Sequence, residues 1–177
     1  VDATASRNIE VEGKFSNGLT SILHAYTSLD SIIYQGKTFL ATEIEFTGSK
    51  IRDSTNVLAM LSILSEKQRL SKTFNTKNLL LEGIWNKDHI NLNLDLDQDG
   101  VGNSIRLKTE IDFLKDSTKL KVLPSHINAL DKQWKVDQAN YINMKGKEIE
   151  IHQLKIHNED QFILLDGQVS EQEDRSV

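Results

Sequence analysis

The sequence predicts an all-β chain of antiparallel, one-sided strands forming a rolled or groove-like sheet, with a closed β-sandwich as the alternative architecture. Three observations predict it. Apolar and polar residues alternate with a period of two over most of the chain, the parity of the alternation reverses across an Asp-Gly turn, and the apolar positions are dominated by Leu and Ile.

Taken in chain order, strands are expected from Asn8 to Phe15, Ile22 to Leu29, Lys37 to Phe46, Asn56 to Leu64 and Asn78 to Trp85. The stretch from Ile63 to Lys72 also reads as a helix. The clearest strand runs from His89 to Asp97, where Ile90, Leu92, Leu94 and Leu96 alternate with His89, Asn91, Asn93, Asp95 and Asp97. After Gln98-Asp99-Gly100-Val101-Gly102 the parity inverts. Ile105, Leu107, Thr109, Ile111 and Phe113 now form the apolar set. Residues facing each other across an antiparallel pair share a face, so these two runs make a hairpin whose paired numbers sum to an odd value. A sum of 201 sets Asp95 opposite Arg106 and Leu94 opposite Leu107. A slip of one residue would turn every leucine into water.

The later strands run from Thr118 to Leu123, Lys147 to Ile156 and Gln161 to Val169. In the second of these the apolar parity moves from Ile149 and Ile151 to Leu154 and Ile156, which predicts a β-bulge near His152-Gln153. A short pattern recurs as Glu12-Gly13-Lys14-Phe15-Ser16, Glu82-Gly83-Ile84-Trp85-Asn86 and Asp166-Gly167-Gln168-Val169-Ser170. It is read as strand-end punctuation, the Gly marking a bulge or close backbone approach and the Ser or Asn suiting the turn that follows.

Length suits one sizeable β domain over residues 1–177 rather than two. The chain opens without Met on the polar segment Val1 to Asn8, so it is expected to be a piece of a longer protein. Lys and Arg number 21 against 26 Asp and Glu, with the charges scattered, which argues against a nucleic-acid partner. With no Cys there is no disulfide, thiolate metal site or Cys nucleophile. No apolar run reaches the roughly 20 residues that a membrane-spanning helix needs.

Candidate chemistry is sparse. Asp95-Leu96-Asp97-Gln98-Asp99-Gly100 begins like a calcium loop, but Arg106 stands where the bidentate Glu belongs, and Asp-Gly is a favoured hairpin turn. Asp95, Asp97 and Asp99 are therefore kept only as a weak calcium candidate, with no metal site and no cofactor expected. The histidines His24, His89, His126, His152 and His157 include no pair at the spacing that sets two imidazoles on one strand face. Glu148 and Glu150 share a face as a glycosidase pair would, yet such pairs arise freely among 26 carboxylates. No nucleophile elbow or phosphate loop is present, so the chain is expected to be no enzyme. Trp85 and Trp134 are read as core or rim residues. What stands out is the apolar lining Ile90, Leu92, Leu94, Leu96, Ile105, Leu107, Ile111 and Phe113. It is either the closed interior of a sandwich or an open surface for acyl chains.

The C-terminal third carries a resemblance. Trp134-Lys135-Val136, Asn140-Tyr141-Ile142, the strand Glu148 to Ile156 and the run Gln161 to Ser170 resemble the β-repeat region of the TamB family. These are AsmA-like periplasmic proteins of the translocation and assembly module, anchored in the inner membrane, and the Asp88 to Lys115 hairpin is compatible. The resemblance implies a long rolled sheet with an apolar groove, a periplasmic location and roles in lipid transport and outer-membrane protein insertion. It also implies lipid acyl chains or unfolded outer-membrane proteins as partners, and an outer-membrane barrel as partner of the full-length protein. The groove-lining positions it implies are Ile149, Ile151, Leu154, Ile156, Ile163 and Leu165. The alternative reading is a carbohydrate-binding or adhesive sandwich that uses calcium.

Overall fold

The computed structural model describes residues 3–6 and 9–170. Fourteen strands form one antiparallel sheet, and no helix occurs among the described residues. They are β1 (Ala3–Ala5), β2 (Ile9–Ser16), β3 (Thr20–Tyr34), β4 (Lys37–Ile51), β5 (Val57–Arg69), β6 (Asn75–Asn86) and β7 (His89–Gln98). The chain continues through β8 (Ser104–Phe113), β9 (Thr118–Val122), β10 (His126–Ala129), β11 (Lys132–Val136), β12 (Tyr141–Lys145), β13 (Glu148–His157) and β14 (Phe162–Ser170).

The order is a meander in which each row pairs with the next. Three rows of it are split in two: β1 and β2 both pair β3, β9 and β10 both pair β8, and β11 and β12 both pair β13. The fourteen strands therefore make eleven rows. The hairpin of β7 and β8 has the register that parity requires, with Asp95 opposite Arg106 and Leu94 opposite Leu107. The bulge in β13 also forms, as a register shift between Ile151 and Leu154 with Gln153 at φ 44°.

Register shows which residues share a face. One ladder of paired residues crosses from Phe15 through Leu23, Gly48, Ala59 and Trp85 to Ile90. It continues through Ile111, Leu120, Ile142 and Ile151 to Gly167. The adjacent ladder, on the other face, runs through Lys14, His24, Thr47, Met60, Ile84, Asn91, Glu110 and Lys121. One face is therefore apolar across every row and the other is mainly polar.

Three expectations are corrected. Ile63 to Lys72 is no helix: β5 runs to Arg69, because pairing with β4 and β6 satisfies its backbone on both edges, which overrides the local helix propensity of Glu66 to Arg69. The closed sandwich does not form, since all described strands belong to one sheet and no second layer covers its apolar face. The recurring pattern does end strands at Ser16 and Asn86, and its third copy closes on Ser170, the last described residue. However, pairing runs without a register shift through Gly13 and Gly83, and only Gly167, at φ 151°, adjoins a bulge. Asn8, the expected first residue of the first strand, lies outside the described residues.

Candidate functional site

The apolar face is the most extensive feature of the molecule. All of the expected lining residues lie on it: Ile90 pairs Ile111, Leu94 pairs Leu107 and Leu96 pairs Ile105, with Leu92 and Phe113 in phase. Farther along, Leu154 pairs Leu165 and Ile156 pairs Ile163, while Ile149 and Ile151 face Val169 and Gly167. Trp85 and Trp134 share this face, the latter paired with Ile127. Only Leu29, Ala59, Val122 and Val136 are buried hydrophobics among the described residues. Phe113 is 43% exposed, Leu165 47% and Val169 63%. The chain's accessible surface is 12756 Å², against about 8,700 Å² expected for a compact 20.1 kDa monomer. The face is open.

A crease crosses this sheet at right angles to the strands. It passes Asp30, Ala41, Glu66 and Asn78, where the ladders skip a pair and Ala41 and Asn78 have positive φ. A register shift between Lys77 and Leu80 carries it to Leu96. Beyond β8 it follows the gaps between β9 and β10 and between β11 and β12, then the bulge at Gln153. The chain's single proline, Pro124, falls in the gap between β9 and β10, where no ladder donor is needed. Bulges, skipped pairs and strand breaks that line up from row to row bend the sheet, which rolls it into a groove.

Breaking ladders leaves backbone groups without partners, and side chains replace them. The Ser65 hydroxyl donates to the Leu40 carbonyl (2.9 Å) and the Gln68 amide donates to the Ser65 carbonyl (2.7 Å). Thr76 donates to Gln68 Oε1 (2.9 Å), and Thr42 donates to Ser65 Oγ (3.3 Å). Ser125 accepts from the Lys108 amide (3.0 Å) and donates to the Leu123 carbonyl (2.8 Å). Asn140 accepts from the Val122 amide (2.9 Å) and donates to the carbonyls of Val122 (2.8 Å) and Asp137 (2.5 Å). Asp166 accepts from the Gln153 amide (3.1 Å). No buried side-chain polar atom among the described residues lacks a partner. Sequence reasoning passed over Thr42, Ser65, Gln68, Thr76 and Asn140. Their only signal is a polar residue at an apolar-face position, legible once pairing is known.

Arg106 splints the crease from the polar face. Its guanidinium donates to the carbonyls of Leu96 (3.2 Å) and Ile105 (2.9 Å) and to Asp97 (2.7 Å), and its Nε lies 3.4 Å from Asp95. Asn78 donates to the second oxygen of Asp97 (2.9 Å). That bond, with Arg106 and Lys77, holds the Asp97 carboxyl below its ordinary range. Lys77 is 3.7 Å from Asp99. The three carboxylates of the calcium candidate are thus turned to cations of the chain itself, and no group of three metal-ligating residues converges among the described residues.

Four of the histidines engage side chains of other types. His89 is 2.6 Å from Asp112, which raises its pKa, and His157 is 2.9 Å from Asp137. His24 pairs Thr47 (3.1 Å), and His152 stacks on Tyr141 with centroids 4.7 Å apart. The Tyr141 hydroxyl, raised by desolvation and by its bond to Glu150 (3.2 Å), engages one member of the Glu148 and Glu150 pair. Among the described residues no helix is long and apolar enough to cross a membrane, which leaves membrane crossing by strands unaddressed. No family model, curated protein or solved structure matches the chain.

Proposed function

We propose that this chain is a non-enzymatic module of a TamB-like periplasmic protein, whose full-length form is anchored in the inner membrane. Its apolar groove shelters lipid acyl chains, or unfolded outer-membrane strands, on their way to the outer membrane. There the full-length protein meets a barrel partner. One observation carries the reading: the apolar face is continuous over all eleven rows and uncovered. A methylene fully buried from water contributes about 0.8 kcal/mol, and one lying on an open face roughly half of that. Ten methylenes along the groove then contribute about 4 kcal/mol, enough to hold a chain and weak enough to let it slide. The resemblance noted above supports the periplasmic setting.

The test is photocrosslinking in bacteria from a photoreactive residue at Leu94 or Ile151 on the apolar face, with Asn93 on the polar face as control. Native mass spectrometry of the purified protein reads the adducts. Lipid or outer-membrane protein adducts from Leu94 and Ile151, and none from Asn93, are expected. Equal labelling at all three positions, or none at any, would sink the proposal.

A further inference from the structure

The polar face carries an apolar patch in its centre. In the rows of β5 and β6, Leu58, Met60 and Leu64 point away from the apolar groove, with Ile84 opposite Met60 and Leu80 opposite Leu64. Leu58, Met60, Leu64 and Ile84 are 43 to 52% exposed. A strand with apolar side chains on both faces is the pattern of one covered on both sides.

Two shallow depressions, of about 630 and 330 Å³, open on this patch. The first is bordered by Asp30, Glu43 and Glu66, and by Asp95 and Asp97 with their partner Arg106; the second is bordered by Glu45 and Glu82. Asp30, Glu43, Glu66 and Glu82 have no cationic side chain within ion-pair distance among the described residues, and His24 is 3.9 Å from Glu45. An apolar floor with a rim that stays acidic beyond the one cation Arg106 repels an anionic membrane surface and attracts an amphipathic cation.

We infer that the polar face of β4 to β7 docks a basic amphipathic helix of a partner protein, with its apolar stripe on Met60, Leu64 and Ile84 and its Lys or Arg residues against Glu43, Glu66 and Glu82. From Leu58 to Leu64 the floor runs about 20 Å at 3.3 Å per residue, the length of a helix of about 13 residues. The face lies opposite the groove, so docking leaves the groove free. The inference does not rest on what the groove carries.

The probe is a fluorescent Leu/Lys amphipathic peptide of about 14 residues, with its Leu/Glu counterpart as control, followed by anisotropy. Glu43→Gln, Glu66→Gln and Glu82→Gln are combined in one variant; all three side chains are exposed, so the fold is expected to persist, which circular dichroism verifies. The triple variant is expected to weaken Leu/Lys binding about tenfold and to remove most of its salt dependence, from three surface charges of modest individual worth. Ile151→Asp, in the groove, is expected to leave binding unchanged. The inference is overturned if the triple variant binds as the parent does, if Ile151→Asp abolishes binding, if the Leu/Glu peptide binds equally well, or if neither peptide binds.

Discussion

Asn140 offers the sharpest test of how the sheet is bent. It is 3% exposed and stands in the gap between β11 and β12, with its carboxamide bonded to both the amide and the carbonyl of Val122, itself buried. Asn140→Ala removes both partners, along with the one to the Asp137 carbonyl, and leaves them facing an apolar groove. Each buried backbone group left unsatisfied costs about 1–3 kcal/mol, and entry of one water would recover part of that, so the net loss is about 3 kcal/mol. With an m-value of about 2 kcal/mol/M in urea, the unfolding midpoint falls by about 1.5 M. Gln133→Ala, on the exposed face of β11, is the control and stays within about 0.5 kcal/mol of the parent. Urea titrations followed by far-ultraviolet circular dichroism measure both. Coincident midpoints for the two variants would refute the view that side chains stand in for the missing ladder bonds along the crease.

Other outcomes follow from the same geometry. Because Asp112 raises the pKa of His89 above 6.5, the stabilisation is fully present below 6.5 and fades as pH rises through the raised value; Asp112→Asn should lower the nuclear magnetic resonance titration midpoint of His89. A His89 midpoint unmoved by that substitution would contradict the pairing. Asp97, held below its ordinary value, contributes stability above about 3.8 that is lost as pH falls through its folded value, so Asn78→Ala should raise its titration midpoint. Gly167→Ala, at φ 151°, should cost about 1–3 kcal/mol, whereas Gly13→Ala, with only the His24 carbonyl 3.8 Å from a new Cβ, should cost far less; thermal melts compare them. Arg106→Gln should destabilise by about 1–3 kcal/mol, since the carbonyls of Leu96 and Ile105 and the carboxylate of Asp97 lose a shared donor.

How much of this was legible in the sequence varies with the residues. The parity of Ile90 to Leu96 against Ile105 to Phe113 determines the register of the β7 and β8 pair, because side chains alternate strictly and only one phase keeps the leucines together. The parity change after Ile151 places the β13 bulge for the same reason. By contrast β10, β11 and β12 escaped notice. Each is a short strand of four or five residues held by its neighbours in the sheet. The positive φ of Ala41, Asn78 and Gln153 was equally hidden, since none of these residue types demands it and the alignment across rows fixes it.

By itself, then, the sequence determined that the chain is an antiparallel sheet with one apolar face, and which residues line that face. These follow from local alternation, a property of each strand alone. Only the tertiary structure decided that the face is open, that a crease runs across the sheet and that Arg106 bonds the carbonyls of Leu96 and Ile105 beside it. Whether a face is covered depends on a second layer, and whether a ladder can break depends on a side chain such as Asn140 reaching a backbone group eighteen residues away. Neither is a property of any one strand.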